Sequence, residues 1–159
     1  MKLIAEWELT AFPPSANELQ KTSYKNKVRY DTEEYKLFKD HAALELYEQG
    51  KPEVVILAGK ALALVTVFHW SGWFRKDGEI CQRKDVSNRY KAIEDAIFRH
   101  IELDDSYNIA PLPLKAKPIA GKDKLVRAYL YVVDTEVISI QHHWPSGRNL
   151  GGNNSALNP

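Results

Sequence analysis

At 159 residues the chain has the length of one ordinary domain, enough to bury a substantial core. Its 44% apolar and 27% charged residues match a folded, soluble protein and exclude the composition of a disordered or fibrous chain. The formal net charge of +1 gives no bulk attraction for nucleic acid, so any such role must come from where the charges sit. No stretch approaches the roughly 20 apolar residues of a membrane span. The opening MKLIAEWELT, with Glu6 and Glu8, does not read as a signal peptide, and a cytoplasmic location is expected. The lone cysteine, Cys81, excludes an internal disulfide and a cysteine metal cage.

Leu3, Ala5, Trp7 and Leu9 alternate with Ile4, Glu6, Glu8 and Thr10, which predicts a half-buried strand. Pro13 and Pro14 stop it, because neither can donate to a ladder. Residues 17–30 show no period and read as a long basic loop. Asp31 followed by Glu34 resembles a capping box. Tyr35, Phe38, Ala42 and Leu46 then recur at helical spacing, closed by Gly50 and Pro52. Residues 61–70 are apolar and valine-rich and predict a buried strand, followed by a glycine-bounded loop over 71–78. A second helix is predicted over 88–101, with Ile93, Ile97 and Ile101 facing inward. Pro111 and Pro113 reduce the next stretch to an edge strand or a loop. Val126, Ala128, Leu130 and Val132 alternate with Arg127, Tyr129 and Tyr131 in a further strand.

The order implies a mixed α/β (α+β) layer protein, with two main helices packed on a small mixed sheet. Residues 1–134 form the domain. Residues 135–159 form a C-terminal extension too poor in apolar side chains to bury, expected to be partly disordered.

Three groups of basic residues interrupt this frame: Lys21, Lys25, Lys27 and Arg29; Arg75, Lys76, Arg83 and Lys84; and Lys115, Lys117, Lys122 and Lys124. Acids concentrate elsewhere, notably from Glu94 to Asp105. The informative stretch is RKDVSNRYKAIEDAIFRHIELDDSYNI, residues 83–109, with Asp85 before a helix and Asp104 and Asp105 after it. Cleaving a phosphodiester requires an activated water and relief of charge on the scissile phosphate. One or two Mg²⁺ ions held by a few carboxylates supply both. Acids at either end of a helix–loop unit can converge on such an ion. Lys91, in the first turn, would then reach the phosphate or the attacking water. Each acid also has a plain reading, as a solvated turn or as a helical ion pair between Lys91 and Asp95.

Asp85, Ser87, Asn88, Lys91, Asp95 and Asp104–Asp105, with Phe12-Pro13-Pro14-Ser15 and Asn17 near the start, resemble the RusA family of Holliday junction resolvases. The likeness covers residues 3–134. It implies a homodimeric, Mg²⁺- or Mn²⁺-dependent endodeoxyribonuclease that resolves four-way DNA junctions in recombination and repair. By carry-over, Asp85, Lys91 and Asp105 would be catalytic, with Asp85, Asp104 and Asp105 as metal ligands. Asn88, Asp95 and position 87 would support them. Lys21, Lys25, Lys27, Arg83 and Lys84 would grip the DNA backbone.

The departure from the family pattern is Ser87, which stands where the family has a second Asp. Serine can still cap the helix but removes a charge. Weak or Mn²⁺-favouring activity is therefore expected, with Glu94 or Glu102 as acids that could compensate. The alternative is a non-catalytic DNA-binding protein of the same fold. His142 and His143 would face opposite sides of a strand and read as surface residues, and Ser15 as turn chemistry. Trp70, Trp73 and Phe74 could stack on unpaired bases or serve as core and rim packing.

Overall fold

The alternation at the start of the chain forms β1 (Lys2–Leu9). The computed structural model, which describes residues 1–15, 20–22, 29–53, 59–81 and 85–134, pairs this strand with the far end of the domain. The remaining elements are β2 (Gln20–Thr22), β3 (Arg29–Asp31), α1 (Glu33–Gln49), β4 (Ala61–Trp70), α2 (Ser87–His100), β5 (Leu112–Ala116) and β6 (Lys124–Val133). A four-stranded mixed sheet runs in the order β1-β6-β4-β5, antiparallel except for the parallel β4–β5 pair. With α1 and α2 it makes the mixed α+β architecture that the sequence predicts.

Register explains the core. Leu9, Val126 and Phe68 lie in one cross-strand row, Trp7, Ala128 and Thr66 in the next, and Ala5, Leu130 and Leu64 in a third. Side chains of one strand face alternate by residue, so these rows share a face. Tyr35, Phe38, Ala42 and Leu46 of α1 and Ile93, Ile97 and Phe98 of α2 pack into the same buried cluster. The alternation of β1 breaks at its start. Leu3 pairs Tyr131 and Ala5 pairs Leu130, so Ile4 is an extra residue. The bulge turns Leu3 outward, 46% exposed, and lets Ile4 pack against the core instead.

Side chains of α1 cover the free edge of β1. Gln49 accepts from the Glu8 N–H at 2.8 Å and donates to the Glu8 carbonyl at 2.8 Å. The Glu45 carboxylate accepts from the backbone N–H groups of Thr10 and Ala11, both at 3.1 Å. An edge satisfied this way offers little to a stray strand.

Two expectations are corrected. Part of the basic loop is ordered as the β2–β3 antiparallel pair. The α1 cap is Thr32, whose side chain accepts from Tyr35 N–H, while Asp31 pairs with Lys39 and Gln20. The stretch around Pro113, expected as an edge strand or a loop, is an edge strand, where a missing N–H can be tolerated. Among the described residues, no helix is long and apolar enough to cross a membrane. Residues 135–159, with His142 and His143, lie outside the described residues, as do Lys25, Lys27, Arg83 and Lys84.

Candidate metal centre on the second helix

The helix start was expected to be capped by Ser87. Val86 already has helical backbone angles, φ −74 and ψ −30, so the cap falls one residue earlier. The Asp85 carboxylate accepts from the Ser87 N–H at 2.9 Å and from the Ser87 hydroxyl at 2.7 Å. That hydroxyl and N–H hold the Asp85 carboxyl below the ordinary carboxylate range. Ser87 therefore serves Asp85 directly.

At its other end α2 closes in a Schellman motif. The N–H of Glu102 reaches the Arg99 carbonyl at 3.2 Å, and that of Leu103 reaches the Phe98 carbonyl at 3.0 Å. Glu102 carries the left-handed angle this requires, φ 58, and ion-pairs with Lys51. The chain then runs back along the helix. Asp104 accepts from Ser106 N–H at 2.9 Å and starts a 3₁₀ turn, Asp105–Tyr107. The bonds from Ser106 lower its carboxyl pKa, as those from Ser87 do for Asp85.

Asp105 is aimed differently. Its Oδ2 contacts the Lys91 ammonium, which also lies 3.1 Å from Glu94 Oε2 and 3.0 Å from Asp95 Oδ1. Glu94, Asp95 and Asp105 each bring a carboxylate oxygen within 4.8 Å of the others. Three hard oxygen donors so gathered could hold a metal ion. Asp85, Asp104 and Glu102 are not members of this group. Of the acids predicted as ligands, Asp105 is in it. Asp95, predicted as support, joins it as a potential ligand, and so does Glu94, foreseen only as a compensating acid.

Glu94 is 8% exposed, unusual for a carboxylate. Its Oε1 accepts from the Tyr90 hydroxyl at 3.1 Å and from Asn108 Nδ2 at 2.6 Å. Asn108 also donates to the Tyr90 oxygen at 2.6 Å, and its own Oδ1 accepts from Leu64 N–H of β4 at 3.0 Å. One amide thus ties the sheet to the carboxylate and leaves Oε2 facing Lys91. Burial, with the neighbouring Glu94 charge, pushes the Tyr90 phenol well above its usual range. Burial works against the Lys91 charge, but bonds to Asp105, Asp95 and Glu94 outweigh it and raise the ammonium pKa. Asp95 also lines a cleft of about 100 Å³ between α1 and α2, with Tyr35, Lys39, Arg99 and His100. The carboxylate group therefore borders a concavity.

The sequence carried a signal for Glu94. It stands four residues after Tyr90 and four before Phe98, on the apolar stripe of α2, where a carboxylate must be satisfied or functional. Tyr90 and Asn108 had no such mark.

Of the predicted nucleic-acid contacts, only Lys21 is among the described residues. Lys21 is exposed in β2. Arg89 lies over the rings of Phe12 and Trp70, and Lys124 over the same pair. Lys115 lies over Trp73. Trp73 is fully buried and donates its indole N–H to the Phe68 carbonyl at 2.8 Å, and Trp70 packs edge-on against it. Trp73 is thus core packing and not a base platform.

No family model matches the chain, and no curated protein matches it at significant similarity.

Proposed function

We propose that the protein is a metal-dependent endodeoxyribonuclease of RusA type acting on four-way DNA junctions, with Mg²⁺ or Mn²⁺ held by Glu94, Asp95 and Asp105. The observation that carries the reading is the convergence of these three carboxylates with Lys91, from two chain segments 10 or more residues apart. A bound divalent ion would lower the pKa of a water and offset charge on the scissile phosphate. Asn108 and Tyr90 hold Oε1 of Glu94 so that Oε2 faces the site and Lys91. Lys91 lies where an ammonium can contact a phosphate oxygen. Lys21 and the basic residues 25, 27, 83 and 84 are proposed to grip backbone, with affinity falling steeply as salt rises. In this reading Asp85 holds the helix start and stands outside the ion's ligand set.

A second reading, a non-catalytic DNA-binding protein of the same fold, is favoured by Ser87. It supplies no carboxylate, and its hydroxyl is engaged by Asp85. Incubating the protein with a labelled four-way junction and Mn²⁺, with Asp105→Asn as control, separates the two. Nicking abolished by the substitution supports the nuclease. Tight binding without nicking supports the alternative, and failure to bind DNA at low salt defeats both.

A further inference from the structure

The cation position among Glu94, Asp95 and Asp105 coincides with the reach of Lys91. The ammonium lies 3.1 Å from Glu94 Oε2 and 3.0 Å from Asp95 Oδ1, and it contacts Asp105 Oδ2. These are the carboxylates whose oxygens gather within 4.8 Å. An ion shared by the three must occupy the space between them, and two positive charges cannot share it. We propose that Lys91 is the built-in counterion of this site and that a divalent cation enters only by displacing its ammonium. The inference rests on the metal-site reading above and adds how that site is regulated.

The surroundings determine which partner yields. Glu94 is buried, and its Oε1 is held by Tyr90 and Asn108, so it cannot retreat. Asp105 is fixed through its backbone in a 3₁₀ turn. The Lys91 side chain is half exposed, 50%, and ends in a flexible stem. It is therefore the moving part. Displaced, the ammonium stays tethered one turn from the helix start and beside the ion, available to a phosphate oxygen arriving there. Apparent ion affinity is then the intrinsic affinity multiplied by the fraction of molecules with Lys91 swung out.

The test is Mn²⁺ titration of the full chain, reading free ion by electron paramagnetic resonance, with no DNA present. Lys91→Met should bind Mn²⁺ about tenfold tighter than the unsubstituted protein. Lys91→Arg, which keeps a cation, should not. Thermal melts guard against a folding artefact. In chelator, Lys91→Met should melt lower because three carboxylates face one another, and Mn²⁺ should raise its Tm more than that of the unsubstituted protein. Equal or weaker Mn²⁺ binding by Lys91→Met, or equal Mn²⁺-induced rises in Tm, would overturn the counterion role while leaving the metal site standing. Absence of Mn²⁺ binding by both proteins would overturn the role and the metal-site reading together.

Discussion

Two Asp-x-Ser turns flank α2, and they use their acids in opposite ways. In the first, Asp85 accepts from Ser87; in the second, Asp104 accepts from Ser106. Both leading aspartates are spent on local backbone. The difference lies in the middle residue. Val86 packs against the core, whereas Asp105 turns to Lys91. A carboxylate next to a serine two residues on serves its own turn first, and one without that option can be aimed at a distant partner. The same contrast separates the acids of α2 itself, where Glu94 is held in place by Asn108 from outside the helix.

Substitution of the two kinds of acid should split cleanly. Asp105→Asn should lower junction cleavage about 100-fold or more, comparable to losing a metal ligand or its support. Asp104→Asn should leave cleavage nearly intact. If Asp85→Asn abolishes nicking as fully as Asp105→Asn, the distinction between the turns fails and Asp85 belongs among the ligands. Next in size, Asn108→Ala leaves Glu94 Oε1 and Leu64 N–H without this partner and should cost about 2 kcal/mol in urea unfolding. Mn²⁺ affinity should fall about tenfold with it.

The turns also respond to acid. Their carboxyls are held below the ordinary aspartate value of 3.8, so their stabilisation is fully present above that pH and is lost as pH falls through the lower folded-state values. The Tm gap between the unsubstituted protein and an Asp85→Asn/Asp104→Asn double variant should therefore be flat near neutrality and close in the acid range below 3.8. Lys91 behaves in the opposite sense. Its folded pKa is raised, so its contribution is complete below 10.5 and is lost only as pH climbs through the higher folded value. The smallest effect should come from the reversal between turn and helix. Glu102→Gly relieves a left-handed residue, φ 58, and should raise Tm by about 2–4 °C.

Period and apolar content made most of the sheet and both helices legible. Residues 61–70 read as a strand because a valine-rich apolar run has to be buried, and 125–133 because apolar residues alternate along it. The start of β1 did not, since a bulge at Ile4 is set by pairing with β6, and no local pattern shows where an extra residue will be inserted. Caps were misplaced by one residue at both helices, to Asp31 and Ser87 instead of Thr32 and Val86. Neighbouring polar residues compete for the same N–H groups, and only backbone angles decide. At the candidate site, the position of Asp105 beside Lys91 depends on the chain reversing at Glu102. Asn108 acquires its role through β4, more than 40 residues away, which is why it carried no sequence signal.

The sheet order has a consequence for how the protein is made. Among the described residues β1 pairs only with β6, and the pair is stitched by contacts such as Arg127 to Glu8, 119 positions apart. The first strand to leave a ribosome must wait, unpaired, until nearly the whole domain has emerged, and late closure of so long a loop makes folding slow. During that wait Gln49 and Glu45, synthesised early on α1, can already occupy one edge of the waiting strand.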